Sequence, residues 1–177
     1  MTILRYGIRP VIGERSDSAY ASRSKLISLG KGLHSVSQNT DMTPSTTVLL
    51  IDDDTGDRES WAQRLNILSN DYHILEADTG ERGLAIWDSQ RIDCVVTELN
   101  LPDMTGFEII VKLVPRVTHP EIAVIVLTDL TLPALAKLAR NSGAHAYLQK
   151  SRTSGEDLDH AIRKAIATVD PNKKRGG

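Results

Sequence analysis

Five short apolar runs between residues 47 and 169 alternate with segments whose apolar residues recur at helical spacing. The runs predict β-strands over residues 47–51, 72–77, 94–97, 122–128 and 144–149. A helix is predicted after each strand, because these segments are apolar on one side and polar on the other. Strict alternation of strands and helices predicts an α/β domain with a parallel sheet, right-handed crossovers and helices on both faces.

Polar residues at capping spacing predict where several helices begin. The pairs are Asp78 with Glu81, Thr105 with Glu108, and Ser154 with Asp157. Pro133 is predicted in the first turn of the fourth helix, which Gly143 ends. The spacing also predicts that Leu68 in the first helix and Val111 in the third helix face the core.

The composition changes abruptly at Thr47 and divides the chain into three predicted parts. Residues 1–46 are rich in serine and contain six Lys and Arg against three Asp and Glu, so we expect a flexible, basic extension. The alternative is one short docking helix built on Leu26, Ile27, Leu29 and Leu33. Residues 47–169 are the predicted domain, and residues 170–177 form a basic tail.

Charge and hydropathy exclude several classes of function. The chain has a net charge of -2 and its first 46 residues carry +3, so the remainder carries -5 and favours cations or basic partners over nucleic acid. No apolar run approaches the roughly 20 residues of a membrane span, and the N-terminus lacks the apolar core of a secretory signal. We therefore expect a cytoplasmic protein. The histidines lack metal-site spacing, and Cys94 lies inside a predicted strand as a small apolar residue.

Polar side chains follow the predicted strands at the edge where parallel strands end. They are Asp52, Asp53 and Asp54 after the first strand, Glu98 after the third, Thr128 and Asp129 after the fourth, and Lys150 after the fifth. Ligands bind at this edge of an open α/β sheet, so we expect a functional site there. Crowded carboxylates repel one another unless they share a cation, and oxygen ligands without Cys or His favour Mg²⁺. Lys150 and Thr128 add a positive charge and a hydroxyl donor that suit a phosphoryl group.

An ordinary structural role is also open to each of these side chains. Asp54 is better suited to capping the first helix than to binding a metal. Thr128 suits any strand as a β-branched residue, Lys150 suits a solvated strand end, and Tyr147 suits a half-buried aromatic position. The functional interpretation therefore depends on their combination at neighbouring strand ends.

The same residues carry a resemblance to a known family. The matching stretches are VLLIDDD at 48–54, ELNLPDMTG at 98–106, VIVLT at 124–128 and GAHAYLQK at 143–150. Through them, the predicted domain resembles the receiver domain of bacterial two-component response regulators. The resemblance implies a flavodoxin-like fold, a doubly wound (βα)5 sheet with strand order 2-1-3-4-5. It also implies a Mg²⁺ site made by Asp52, Asp53, Glu98 and the carbonyl of Asn100, and a phosphoryl-sensing set made by Thr128, Lys150 and the switch aromatic Tyr147.

Two positions depart from the family pattern. Glu98 stands where the family has the aspartate that accepts a phosphoryl group, and Asp129 stands where the family has a small residue. The extra methylene of Glu98 shifts its carboxylate by about 1.5 Å, and a misplacement of about 1 Å can cost on the order of 100-fold in rate. We therefore expect phosphorylation at Glu98 to be slow or absent and its side chain to reach toward Lys150. Asp129 is expected to repel a phosphate and to compete for Lys150.

The leading hypothesis is a non-enzymatic receiver module of phosphorelay signalling that acts by binding other proteins. A conventional phosphoaccepting regulator is the alternative. A haloacid-dehalogenase-like phosphatase using Asp52 and Asp54 is a remote alternative, because no acidic pair follows Lys150 on a further strand. No output domain is recognised after residue 170, so we expect output by docking to a histidine kinase, a downstream effector or a second copy. The resemblance implies that the docking surface is formed by the fourth helix, fifth strand and fifth helix, where Leu132, Leu135, Lys137 and Tyr147 are the candidate residues.

Overall fold

The computed structural model describes residues 46–169, which contain five strands and five α-helices. In chain order the elements are β1 (Thr46–Ile51), α1 (Thr55–Leu68), β2 (Tyr72–Ala77), α2 (Gly80–Ser89), β3 (Cys94–Thr97), α3 (Gly106–Leu113), β4 (Ala123–Thr128), α4 (Pro133–Asn141), β5 (Ala146–Gln149) and α5 (Gly155–Thr168). A 3₁₀ turn, Lys150–Arg152, follows β5. The predicted basic tail and the predicted extension lie outside the described residues, except for Thr46, which begins β1.

The strands form one parallel sheet in the order β2-β1-β3-β4-β5. The predicted α/β architecture and the flavodoxin-like strand order are therefore confirmed. β1, β3 and β4 lie in the middle of the sheet and are largely buried, which explains their continuous runs of apolar residues. Because all five strands are parallel, their carboxyl ends meet at one edge.

Helices cover both faces of this sheet. On one face, α2, α3 and α4 pack over a core that includes Ile51, Val95 and Ile110. On the other face, α1 and α5 pack over a second core, in which Leu65 and Ile162 are fully buried. The sheet is thus a rigid platform, and the loops at its carboxyl edge are positioned by well-packed elements.

The predicted helix starts are confirmed at α3 and α5 and wrong at α2. The capping boxes at α3 and α5 are formed by Thr105 with Glu108 and by Ser154 with Asp157. At α2 the cap is Thr79, whose hydroxyl accepts a hydrogen bond from the Arg82 N–H at 3.2 Å. Asp78 is not the cap, because its carboxylate accepts two hydrogen bonds from the Arg82 guanidinium, at 2.7 and 2.8 Å.

Two residues predicted to face the core are exposed. Val111 is 58% exposed, because α3 turns Ile110 and Leu113 toward the sheet and successive helical residues are rotated by about 100°. Leu68 is 41% exposed, because it is the last residue of α1 and lies beyond the buried Leu65.

The single cysteine behaves as predicted. Cys94 is fully buried in β3, and this burial raises the pKa of its thiol. Within residues 46–169, none of the helices is both long and apolar enough to cross a membrane.

Candidate functional site

The carboxyl ends of the strands converge on one cavity of about 230 Å³. Its lining is formed by Asp52, Asp53, Asp54, Asp57, Glu98, Asn100, Thr128, Asp129, Leu130 and Lys150. The polar residues predicted from the strand ends therefore meet in one place. Asp52, Glu98 and Thr128 are buried there, whereas Asp53 and Asp129 are exposed at its rim.

The ammonium group of Lys150 binds three carboxylates in this cavity. Its Nζ lies 2.6 Å from Oδ2 of Asp52, 2.7 Å from Oδ2 of Asp57 and 3.1 Å from Oε2 of Glu98. The Lys150 side chain is only 9% exposed. One buried cation thus neutralises part of a cluster of acids, which brings the ends of β1, β3 and β5 together with the start of α1.

Burial and pairing act on the pKa values of this cluster. Burial alone would lower the pKa of Lys150, but its hydrogen bonds to Asp52 and Asp57 outweigh burial and raise that pKa. Burial also raises the pKa of Asp52, although the hydrogen bond from Lys150 opposes this change. Lys150 therefore stays charged at neutral pH, because its ammonium has three acceptors and little access to water.

Both oxygens of the Glu98 carboxylate are occupied by hydrogen-bond donors. Oε1 accepts hydrogen bonds from the Thr128 hydroxyl, from the Leu99 N–H at 2.6 Å and from the Asn100 N–H at 3.2 Å. Oε2 faces the ammonium of Lys150. The longer side chain of glutamate lets the carboxylate fold back over the backbone that follows it. In this position Oε1 has three hydrogen-bond donors and Oε2 has the ammonium of Lys150 beside it.

Gly106 positions the backbone that carries Glu98. A Cβ atom at Gly106 would collide with the carbonyl oxygen of Glu98 and would lie 2.9 Å from the Cα of Leu99. The Gly106 N–H also donates a hydrogen bond to the Leu99 carbonyl at 2.9 Å. The start of α3 can therefore approach the end of β3 this closely only because residue 106 has no side chain.

Hydrogen bonds connect Glu98 to Tyr147 through the loop after β4. The Thr128 hydroxyl donates to Glu98 and accepts from the Leu130 N–H at 3.2 Å. The Leu130 carbonyl accepts a hydrogen bond from the Tyr147 hydroxyl at 2.7 Å. Burial and the negative charge of Glu98 both raise the pKa of Tyr147. The aromatic ring on β5 is thus coupled to the carboxylate on β3.

Asp54 and Asp129 occupy the edges of the cavity with different surroundings. Asp54 caps α1, accepting a hydrogen bond from the Asp57 N–H at 2.9 Å, as its spacing predicts. Asp129 is exposed, and no ion pair joins it to Lys150 within residues 46–169. The predicted competition for Lys150 is therefore absent from this arrangement, since Asp52, Asp57 and Glu98 supply the carboxylates.

Asp57 is the member of the site that sequence analysis missed. Asp57 lies in the first turn of α1, where the helix dipole favours an acid whatever its partner. In the fold, the side chain of Lys150 extends from the end of β5 to this turn and donates a hydrogen bond to the Asp57 carboxylate at 2.7 Å. A signal was available in the sequence, since the helix begins directly after the acidic end of β1 and its first turn must lie near that edge.

The donor chemistry of the cavity suits a hard cation, but its arrangement is not a closed metal cage. Within the described part of the chain, no group of three or more Asp, Glu, His or Cys side chains is placed to hold a metal ion. The Glu98 carboxylate also lines this cavity, and its Oε2 lies beside the ammonium of Lys150, as Oδ2 of Asp52 does. Asp52, Asp53 and the carbonyl of Asn100 line the cavity, and one or two carboxylates with water satisfy Mg²⁺.

Comparison with known proteins identifies relatives over this same region. The chain is 32% identical over 122 residues to the transcriptional regulatory protein UhpA of Salmonella typhimurium, covering 69% of this chain and 59% of that protein. It is 28% identical over 123 residues to a cyclic di-GMP phosphodiesterase of Thermotoga maritima, covering 68% of this chain and 32% of that protein. The chain thus spans less than two thirds of the length of either relative.

Solved structures and a family model agree with these relatives. A response regulator receiver domain protein from Clostridium thermocellum has 31% sequence identity and a TM-score of 0.61, covering 69% of this chain and 94% of that one. The family model described as the response regulator receiver domain matches residues 48–163. The protein belongs to the response regulator receiver domain family of two-component signalling.

Proposed function

We propose that this receiver signals by binding other proteins and does so without phosphorylation of Glu98. One observation carries the proposal: Thr128 and Lys150, which match the phosphoryl-sensing positions of the family, already bind the Glu98 carboxylate. Glu98 therefore occupies the donors that a phosphoryl group would need. In chemical terms, the carboxylate takes the place of a phosphoryl group as their acceptor.

The surroundings of Glu98 also disfavour the phosphorylation reaction. A carboxylate oxygen would have to attack the phosphorus of a donor such as acetyl phosphate, release acetate and become an acyl phosphate. The oxygen Oε1 is held by three hydrogen bonds, and Oε2 faces an ammonium group. Hydrogen bonds to an ionised oxygen are strong, so the attack would first require several of them to break. A displacement of about 1.5 Å from the position of an aspartate adds to this barrier.

A fixed surface follows from the same contacts. Glu98 holds the hydroxyl of Thr128, the hydroxyl orients the N–H of Leu130, and the Leu130 carbonyl holds the hydroxyl of Tyr147. The loop after β4 and the aromatic ring on β5 are thereby tied to a permanent side chain. The module presents one binding surface at all times, and a change in the amount of protein or of partner controls its output.

Magnesium is not required to keep the acidic cluster together. If the ion binds, its protein ligands are Asp52, Asp53 and the carbonyl of Asn100, and it supplies positive charge to the cluster. Lys150 already supplies such a charge at 2.6 Å from Asp52. The ion and the ammonium therefore compete for the same carboxylate.

The partners that suit this function are signalling proteins of a two-component system. A histidine kinase or a downstream effector in the cytoplasm fits the proposal, and neither nucleic acid nor a membrane is needed. The docking region is α4, β5 and α5, where Leu132 is 63% exposed and Leu135 is partly buried against the core. A second copy bound through this region is the competing partner.

Intact mass measurement after incubation with acetyl phosphate and Mg²⁺ tests the proposal. We expect no phosphoryl adduct on the unaltered protein and an adduct on Glu98→Asp. Glu98→Asn is the matched control, because it has the shorter side chain without a nucleophilic carboxylate. A stoichiometric adduct on Glu98 itself would establish the conventional phosphoaccepting regulator instead. Turnover of a phosphate ester that is lost in Asp52→Asn would indicate a phosphatase, an assignment that the family membership disfavours.

A further inference from the structure

A groove of about 560 Å³ lies between β5 and α5, away from the acidic cavity. Residues 145–148 line it consecutively, together with residues of α5 that include Ala161 and Lys164. Successive residues of a strand point to opposite faces, so four consecutive lining residues mean that the edge of β5 borders the groove. β5 is the last strand of the sheet and pairs with β4 alone among the described strands.

A second cavity continues along the same edge. It has a volume of about 310 Å³ and is lined by residues from the start of α4 and by Tyr147, Leu148 and Gln149. Leu148 and Tyr147 contribute to both cavities. The free edge of β5 is thus accessible from both sides, and an extended chain has room to lie beside it. An open strand edge offers unpaired backbone donors and acceptors to such a chain.

The groove concentrates positive charge on an acidic domain. Residues 47–169 contain 12 Lys and Arg against 19 Asp and Glu, a net charge of -7. The groove, in contrast, is lined by Arg140, Arg152 and Lys164, and Asp157 is the acidic residue among its described lining. The Asp157 carboxylate accepts hydrogen bonds from the Ser154 N–H at 2.9 Å and hydroxyl at 2.7 Å, and the three cations outnumber its single negative charge.

The three cations of the groove are also without acidic partners. Arg140, Arg152 and Lys164 are exposed, and none forms a salt bridge within residues 46–169. Elsewhere in the described chain the salt-bridged cations are Arg58, Arg82, Arg91, Lys150 and Arg163. The groove therefore brings three cations without salt bridges together in a domain of net charge -7.

These features select among the chains that could fill the groove. A second copy related by twofold symmetry would place the same cations opposite one another, which is repulsive. The segments 1–46 and 170–177 carry net charges of +3 and +2, so neither has the negative charge that would complement this groove. Nucleic acid is a long polyanion and would meet the net charge of -7 beyond the groove. A short acidic peptide segment meets only the local positive field.

We propose that this groove binds an extended, acidic segment of a partner protein. The segment pairs its backbone with the edge of β5 and places carboxylates beside Arg140, Arg152 and Lys164, and its apolar side chains cover Ala161 and Leu148. The inference rests on the proposed role of the module in binding proteins. It also connects the partner to Glu98, because Tyr147 lines the groove and is hydrogen-bonded to the loop that Glu98 holds.

A peptide of alternating glutamate and valine, about eight residues long, is the probe. In an extended chain it presents carboxylates on one face and apolar groups on the other. Binding to the full chain is measured by fluorescence anisotropy at low and high salt, and amide hydrogen exchange is followed by NMR. We expect salt-sensitive binding that slows exchange at Ala146 and Leu148, and no binding of the matching lysine and valine peptide.

Charge-reversal variants locate the binding. Arg140→Glu combined with Lys164→Glu is expected to weaken binding on the order of tenfold. The matched control is Lys112→Glu combined with Arg116→Glu, which makes the same change on exposed residues outside the groove and should bind as the unaltered protein does. If the double variant does not fold, Lys164→Glu alone is used for the binding measurement.

Several outcomes would overturn the inference. The acidic peptide could fail to bind, or it could lose equal affinity in the groove variant and the control variant. Binding that does not slow amide exchange in β5 would also contradict the inference. Oligothymidine that binds with the same groove dependence would identify a nucleic-acid site. Sedimentation showing a dimer that the groove variant abolishes would identify a second copy. A negative result with the acidic peptide would not change the result of the acetyl phosphate experiment. The groove proposal can therefore fail while the proposed function stands.

Discussion

The hydroxyl of Thr128 on β4 donates a hydrogen bond to the carboxylate of Glu98 at the end of β3, 30 residues earlier in the chain. Both side chains are buried, so this bond is shielded from water. It ties the end of β3 to the loop that leads to α4. The properties expected of this receiver follow from that bond and from the ammonium group on the other oxygen of Glu98.

Thr128→Val should destabilise the domain, because it removes the hydroxyl while keeping the shape of the side chain. The Glu98 carboxylate then loses one of its donors in a buried position, which costs about 1–3 kcal/mol of the free energy of unfolding. Urea unfolding monitored by circular dichroism measures the change. Thr128→Ser retains the hydroxyl and should lose much less stability. Equal stability of the two variants would show that the hydrogen bond contributes nothing.

Lys150→Met should destabilise the domain strongly at neutral pH, because it leaves the buried carboxylates of Asp52 and Glu98 without their cation. Breaking a buried ion pair by removing one partner costs about 3–5 kcal/mol. Lys137→Met is the control, since this exposed lysine forms no salt bridge within residues 46–169 and should change stability by less than about 0.5 kcal/mol.

The same variant should regain stability in acid. Burial raises the pKa of Asp52 above its value in the unfolded chain, and removal of Lys150 takes away the interaction that opposes this rise. At pH values between the pKa of Asp52 in the unfolded chain and its higher pKa in the folded state, the folded state binds more protons. The free energy of unfolding therefore increases as the pH falls through this range. Urea unfolding of Lys150→Met from pH 7 to pH 5 measures this gain. If Lys150→Met lost as much stability between pH 7 and pH 5 as the unaltered protein does, the raised pKa of Asp52 would be contradicted.

Magnesium should bind more tightly to Lys150→Met than to the unaltered protein. The ammonium at 2.6 Å from Asp52 repels a cation at the same carboxylate, so its removal is expected to increase affinity on the order of tenfold or more. Isothermal titration calorimetry with Mg²⁺ measures the affinity. Addition of Asp53→Asn to Lys150→Met should weaken binding again. Identical affinities of the unaltered protein and Lys150→Met would rule out competition between the ion and the ammonium.

His145 should make stability depend on pH. Its Nδ1 accepts a hydrogen bond from the Val124 N–H at 3.2 Å, which requires an unprotonated nitrogen, and burial lowers the pKa of the ring below its usual 6.5. As the pH falls below 6.5, His145 takes up a proton in the unfolded chain while it stays unprotonated in the folded state. The free energy of unfolding therefore falls until the pH reaches the lower pKa of His145 in the folded state. The slope contributed by one group is at most about 1.4 kcal/mol per pH unit.

Denaturant unfolding at several pH values between 7 and 5 measures this contribution. His145→Gln removes the titrating ring and should reduce the slope relative to the unaltered protein. His119→Gln, at an exposed histidine, is the matched control and should leave the slope as it is. If His145→Gln retains the full slope, the pH dependence arises from other groups.

Local patterns in the sequence determined the elements of this fold. Continuous apolar runs such as 122–128 predicted buried parallel strands, and Thr105 with Glu108 predicted the start of α3, because capping depends on residues that are neighbours along the chain. The acidic, hydroxyl and lysine residues at the strand ends could be placed at one edge for a similar reason. In a parallel sheet the carboxyl ends of all strands lie at the same edge, and this does not depend on the conformation of the loops.

Tertiary structure alone decided which partner each side chain takes. Asp57 lies in the first turn of a helix, yet it binds Lys150, 93 residues away, because both side chains reach the same cavity at the carboxyl edge of the sheet. Thr79 caps α2 in place of Asp78, because the Asp78 carboxylate pairs with Arg82. Val111 is exposed because α3 turns Ile110 and Leu113 toward the sheet. For Glu98, the sequence predicted a carboxylate at the carboxyl end of β3. The fold determined that this carboxylate meets Thr128 and Lys150 as well as the backbone that follows it, since Thr128 and Lys150 come from separate strands and meet only when the sheet is assembled.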